Sequence, residues 1–247
     1  MKKALQIFLI LTLALISCKK PNERQCLKFK GDLINKRVEI SPFETLKIYD
    51  YIEVELVQDT INFLELIGGQ NEISFISVNR VDKELILLNE NKCRWLRSGK
   101  EKPKVIVHFV NISKIEQWGS EPLKTVNSIT VPSLQLVFME VTCDAKIELD
   151  VVDLVVSLEP GFTLLQLKGE ADNFKVVCKN NCQVNSELLK VNNNLVFLNY
   201  GNSDSYISAP ANNMKVQINY SSNIFYKGTP TNIDLDEFST GRLIDNN

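Results

Sequence analysis

From Lys114 almost to the end of the chain, apolar and polar residues alternate in short runs that recur about every 20 positions. The runs start at Lys114, Ser133, Asp153, Asn173, Asn194, Asn213 and Asn232, in steps of 19, 20, 20, 21, 19 and 19 residues. The next residue is Ile115, Leu134, Leu154, Phe174, Leu195, Met214 or Ile233, always apolar. Three after the start stand Gln117, Leu136, Val156, Val176, Phe197, Val216 and Leu235, apolar in six of seven. Alternation with a period of two is the pattern of a half-buried strand. A fixed repeat of this length marks stacked supersecondary units. Together they predict an all-β solenoid over 113–247, whose coils bury a shared core. The coil is too short to hold the helix of a longer repeat, and it lacks the spaced leucines and asparagine of a leucine-rich repeat. Two or three short strands per turn fit. Pro122, Pro132, Pro160, Pro210 and Pro230 then fall in turns, where a missing N–H costs little. Asp153 and the four asparagine starts are expected to stack at one corner, since Asn and Asp cap turns and tolerate left-handed backbone.

Residues 37–112 read differently. Val38–Ile40, Leu46–Tyr49, Ile52–Val57, Phe63–Ile67, Ile73–Val78, Leu85–Leu88 and Lys104–Val110 are short runs rich in Val, Ile, Leu and Phe. Ser41-Pro42, Gly68-Gly69-Gln70-Asn71, Asp82-Lys83 and Ser98-Gly99-Lys100 separate them as turns. This suits an antiparallel β-meander, either a cap on one open end of the tube or its first coils. Residues 37–247 are expected to form one domain.

Ahead of it, Lys2 and Lys3 precede an apolar run from Ile7 to Ile16, too short to span a bilayer as a helix. The run ends Leu15-Ile16-Ser17-Cys18, which resembles a bacterial lipobox. On that reading residues 1–17 are a cleaved lipoprotein signal peptide. Cys18 carries the lipids that hold the chain to the membrane, and 18–36 is a polar tether. The other reading is an ordinary cleaved signal. The lipoprotein reading implies the outer membrane, on its periplasmic face or the cell surface. The basic tether leans toward the periplasmic side. Without Lys2 and Lys3, 26 basic residues face 30 acidic ones. That balance argues against nucleic acid as a partner.

Five cysteines remain: Cys26, Cys93, Cys143, Cys178 and Cys182. An odd number in an oxidising compartment leaves a free thiol or an intermolecular pair. Cys178 and Cys182 are close enough for a disulfide across a coil corner. Against it, Cys178 falls in the inward phase with Phe138, Leu158 and Ile218, as a buried thiol would. A zinc site needs about four ligands, and no second cysteine pair or histidine accompanies this one. No metal or other cofactor is expected. His108 is the only histidine and lies in an apolar strand, which fits a structural role. No Gly-x-Ser-x-Gly elbow accompanies it.

Several stretches carry a resemblance: Val54–Gln58, Leu66–Asn71, Lys83–Leu87, Ile115–Ser120, Leu165–Ala171, and Ile224–Pro230 with Gly241. In their order they resemble the head GIN domain family of auto-transporter adhesins, over about 40–245. The resemblance implies a right-handed β-helix-like solenoid in a lipid-anchored or secreted bacterial protein, with no catalytic motif to carry over. The chain departs from the family in its glycine turns, as at Tyr200-Gly201-Asn202-Ser203 and Tyr220-Ser221-Ser222-Asn223.

A β-helix can also host a carbohydrate-active enzyme, which needs two carboxylates at a fixed separation. The outward rows two and four after each start place no two carboxylates on adjacent coils. Asp234 and Asp236 share one strand of the last coil, where they give a polar edge that blocks end-to-end stacking. The chain is therefore expected not to be an enzyme. Val155, Val177, Val196 and Leu198 interrupt the polar rows on neighbouring coils. They form a candidate surface for a protein or glycan ligand, unless the N-terminal meander packs there or the register slips. A purely structural envelope scaffold is the alternative role.

Overall fold

The computed structural model describes residues 30–49, 51–91, 102–139 and 142–247. The signal peptide, Cys18, most of the tether, Cys26 and Cys93 lie outside the described residues. Strand takes 68% of the structure and helix 2%, and the chain from Lys114 climbs through about six solenoid turns.

Two long walls run the length of the tube. In the first, β8 (Lys114–Gln117) stacks on β10 (Ile129–Phe138), then on two successive passes of β11 (Thr142–Asn180). Next come β12 (Gln183–Gly201), β14 (Asn213–Ile218) and β16 (Asn232–Glu237). In the second, β9 (Leu123–Thr125) leads through β11 and β12 to β13 (Ser205–Ser208), β15 (Ile224–Lys227) and β17 (Leu243–Asp245). A shorter third wall joins Ile129–Val131, Leu149–Val151 and the pairs from Lys168↔Leu188 to Ala171↔Val191. Pro132 sits where this wall turns into the first, and the β10–β11 ladder skips it.

All these pairings are parallel. The expected starts are true register partners from Ser133 onward: Ser133↔Asp153, Asn173↔Asn194, Asn194↔Asn213 and Asn213↔Asn232. The first step is different. Lys114 pairs with Gln135, two residues beyond Ser133. Because the shift is even, the inward phase is kept. Gln117, the one polar exception, lies beside Phe138 and is buried. Its Nε2 donates to the carbonyls of Gly119 (2.7 Å) and Glu121 (3.1 Å), which ties down the corner that follows.

The asparagines do stack, for a reason other than backbone conformation. Each Nδ2 donates to the Oδ1 one coil below: Asn173 to Asp153 (2.9 Å), Asn194 to Asn173 (2.8 Å), Asn213 to Asn194 (3.0 Å) and Asn232 to Asn213 (3.1 Å). None of them has a positive φ; among the described non-glycine residues that conformation falls on Tyr51, Asp82 and Asn180. Charged rungs join coils in the same way: Lys168–Glu148 (3.1 Å), Lys179–Glu159 (2.7 Å) and Lys190–Glu170 (2.9 Å).

The region before Lys114 is both first coils and cap, so the expected antiparallel meander holds only in part. β2 (Thr45–Ile48) and β3 (Glu53–Gln58) form a coil directly on β8 and β9. β6 (Glu84–Asn89) and β7 (Lys104–Phe109) form another on its far side, so spatial order departs from chain order. Three strands then close this end antiparallel: β4 (Phe63–Gly69) on β7, β1 (Leu33–Glu39) on β4, and β5 (Ile76–Val81) on β6. β1 begins inside the stretch expected to be tether. A single helical turn, α1 (Gln70–Ile73), replaces the turn expected after Gly69 and the start of the strand expected at Ile73. One apolar core runs from Phe43 to Ile224.

Gly169 marks a tight spot. Its φ is +113°, a region that L side chains rarely adopt, and an added Cβ would lie 1.9 Å from the Leu149 carbonyl oxygen. The β11–β12 ladder shifts register on either side of it. Gly169→Ala is expected to destabilise the fold by about 3 kcal/mol, measured by urea unfolding. A loss below about 1 kcal/mol would contradict this close approach.

The charged rungs are weaker. The Lys179 hydrogen bond holds the Glu159 carboxyl below its ordinary value of 4.5, against the upward push of partial burial. A depressed carboxylate contributes stability that is complete above its unfolded value and lost as pH falls through the folded one. Both side chains are partly in water, so Glu159→Gln is expected to cost only about 0.5 kcal/mol at pH 7. Urea midpoints of the two proteins should converge once the pH is taken well below 4.5; a gap that persists in acid would sink the ion-pair account.

Candidate functional site

The outward rows of the first wall confirm the register of the apolar strip but thin it out. Val177 and Leu198 are direct partners. Val155 pairs with Gln135, and Val196 with Lys175, so a lysine stands between the two valines in their row. All four are half-buried by their neighbours. The N-terminal strands stack on β8 and β9 at the end of the tube rather than against this strip.

Cys178 and Cys182 stand at the corner after the first wall as free thiols, both buried, with no disulfide between them. The Cys178 Sγ donates to the Cys182 carbonyl (3.1 Å), and that of Cys182 to the Lys179 carbonyl (2.8 Å). The contact with Cys182, together with burial, pushes the Cys178 thiol up. Burial and the charge of Asp144 push Cys143 up to about 12. The same contact with Cys178, helped by backbone hydrogen bonds at Lys179 and Thr163, pulls the Cys182 thiol down against the push of burial, whereas Cys178, buried and pushed up, is a poor nucleophile. Asn199 follows Cys178 in the inward column, where it donates to Ser222 Oγ (2.7 Å) and accepts from the Gly201 amide (2.9 Å).

His108 joins cap to coil. Its Nδ1 is 3.0 Å from Asp59 Oδ2 and its Nε2 3.4 Å from Glu65 Oε1. The ring stacks on Phe63 at 3.8 Å, and the Arg37 guanidinium lies 3.7 Å from the Phe63 centroid. The Thr60 amide, then His108, holds Asp59 below the usual carboxylate range. The arrangement clamps β4 to β7.

The third wall holds a feature the two rows of the first wall could not reveal. Asp150, Glu170 and Asp172 line a shallow depression there, with carboxylates on neighbouring coils. Glu170 accepts from Asn192 (2.9 Å) and Lys190 (2.9 Å), and these hold its carboxyl below the ordinary value. Asp172 accepts from Asn192 at 2.8 Å. A glycosidase needs one carboxyl raised to serve as the acid. Glu170 is instead held below its ordinary value. Among the described residues no group of three His, Cys, Asp or Glu side chains is placed to hold a metal.

A cleft of about 240 Å³ lies where the second wall meets the third. Lys146, Gln166 and Asn185 line it, and the Glu148–Lys168 ion pair and Leu188, 73% exposed, form its border. Gln166 and Asn185 are register partners. The same outward row continues Asn185↔Tyr206↔Phe225, and the two rings stack at 5.0 Å with 12° between planes. One row thus passes from an ammonium through two amides to two aromatic rings along the tube. Its steps from Gln166 are 19, 21 and 19 residues. The spacing was available in the sequence, but the apolar starts mark only the first wall.

A family model described as "Putative auto-transporter adhesin, head GIN domain" matches residues 42–230. No curated protein matches the chain. Among solved structures, a putative adhesin from Bacteroides fragilis NCTC 9343 superposes with a TM-score of 0.76 at 19% identity, covering 87% of this chain and 97% of its own. A putative adhesin from Parabacteroides merdae ATCC 43184 gives 0.62 at 16%, covering 88% and 98%. A putative lipid binding protein from Parabacteroides distasonis ATCC 8503 gives 0.62 at 12%, covering 88% and 98%. Likeness at these identities shows the fold alone. With its family model spanning most of the chain, this protein belongs to the head GIN domain family of auto-transporter adhesins.

Proposed function

We propose that the chain is a non-enzymatic binding module of the cell envelope that takes an extended glycan along its second wall. The row Lys146, Gln166, Asn185, Tyr206, Phe225 carries this reading. Amides can donate to and accept from hydroxyls. Rings offer apolar contact to the carbon faces of sugars. A row repeated at the strand spacing of about 4.8 Å meets a polymer better than a compact substrate. The adhesin family fits a role at the envelope. A protein partner on the Val177–Leu198 strip is the second reading, supported by that paired apolar contact.

The sequence Leu15-Ile16-Ser17-Cys18 supports attachment to the outer membrane through lipid on Cys18. The first described residue, Lys30, is 12 positions further on.

Two hydrogen-bonding amides are worth about 1 kcal/mol each. The double variant Gln166→Ala, Asn185→Ala should therefore bind about tenfold more weakly or worse to whichever glycan retains the wild type on an array. Leu198→Asp should leave that signal unchanged. If the wild type is retained by no glycan, or if Leu198→Asp alone abolishes retention, the glycan row is wrong. Cys18→Ala should move the protein from the membrane to the soluble fraction; a variant still in the membrane pellet would refute the anchor. Protease treatment of intact cells should remove the protein if it acts as an adhesin, and protection would place it on the inner side.

A further inference from the structure

The two ends of the tube differ. At the far end all six residues of β16 are exposed. Ile233 and Leu235 continue the core columns of Met214 and Val216, which are 1% and 0% exposed, yet they are themselves 44% and 40% exposed. Phe238 beside them is exposed as well. Among the described residues, β16 pairs with β14 and β17 with β15, and no strand lies on their other edges. β16 and β17 carry Asp234, Asp236, Glu237 and Asp245; Lys215 of the preceding coil pairs with Asp234 (2.5 Å) and Arg242 with Glu237 (3.7 Å), so the end keeps an excess of acid in Asp236 and Asp245.

The near end is also a pair of open edges, of opposite charge. Among the described residues, β5 pairs only with β6 and β1 only with β4. These two strands carry Lys36, Arg37 and Arg80 against the single acid Glu39. Alternation puts Val78 and Arg80 in the inward phase of β5, beside the buried Leu87 and Leu85. Followed rung by rung along the first wall, the column that ends in Leu235 begins at Arg80. The column that ends in Glu237 begins at Val78 by the same path.

We propose that the far end docks the near end of a second copy of this chain, so that copies stack head to tail. The β16 edge meets the β5 edge of the first wall. Val78 then lies diagonal to Leu235, and Arg80 diagonal to Glu237. The apolar residues that the last coil leaves in water gain the cover that every earlier coil has. Charge selects the geometry. Far end on far end sets two ends with excess acid against each other, which keeps the blocking role expected of Asp234 and Asp236. Near end on near end opposes cations. Only head to tail brings unlike charges together. Such an interface is heterologous and does not close on itself, so it extends.

The test uses the purified full chain carrying Cys18→Ala, to keep lipid out of the measurement, in sedimentation velocity over a hundredfold concentration range at low salt. The average mass should climb past two chains without a plateau. Leu235→Lys blocks the far end of every copy and Arg80→Glu the near end, so each variant alone should remain monomeric. Both positions are on edge strands, and unchanged melting curves would show the fold intact. Mixed one to one, the variants restore one native far end and one native near end, and should associate. A wild type that stays monomeric, or that stops at two chains, overturns the proposal. So does a folded variant that associates like wild type, or a mixture that stays monomeric.

Discussion

Everything in this tube depends on the parallel register that sets each residue beside the one 19 to 21 positions further on. A parallel ladder cannot close through a two-residue hairpin. The chain must travel round the tube before it pairs again, and that length is the coil. Once it does, every side chain lies against its counterpart, so each column must tolerate its own repetition. Apolar columns do so easily: Phe174 and Leu195 pair in the core, as do Val176 and Phe197. A column of like charges does so less readily: Lys stands beside Glu at three rungs, although Lys124 and Lys146 are register partners on the second wall.

The Asp153–Asn232 ladder shows which forces set what. Each of its hydrogen bonds joins neutral or singly charged groups at the surface, worth about 1 kcal/mol net. Full burial of one core side chain such as Phe197 is worth about 2–3 kcal/mol. Burial therefore stabilises the tube, and the amides select among registers that burial alone scarcely distinguishes. A slip of two residues keeps every inward residue inward. The break at Lys114 is that slip: Gln135, not Ser133, lies beside it, and the ladder that starts at Asp153 does not extend to that coil.

This also explains what was legible in the sequence. From Ser133 to Asn232 both signals agree, period two within a strand and about twenty between coils, and the pairing follows. Before Lys114 only the first signal survives. Alternation identifies strands but not partners, and β2–β3 lies between β6–β7 and β8–β9 against chain order. Nothing in the spacing of Leu46 and Leu85 says that they are neighbours. The candidate surface suffered from a related limit. Val177 and Leu198 were correctly paired, whereas the row from Gln166 to Phe225 lies on a wall with no polar starts to mark it.

The inward columns answer to the fold and the outward rows do not. That division accounts for solved structures that keep this tube at 12 to 19% identity. A core column asks only for apolar volume at a fixed phase, and many sequences supply it. An outward row is free to change without loss of the tube, so specificity can be rewritten one coil at a time. Fold likeness then carries no information about the ligand. The proposed glycan row rests instead on this chain's own choice of Lys146, Gln166, Asn185, Tyr206 and Phe225, in one register on one wall. The ends obey the opposite rule. Every column must stop somewhere, and the last residue of each is left half in water. A cap, a charge or a partner must answer for it. The near end uses β1, β4 and β5, whereas the far end presents carboxylates around an uncovered core.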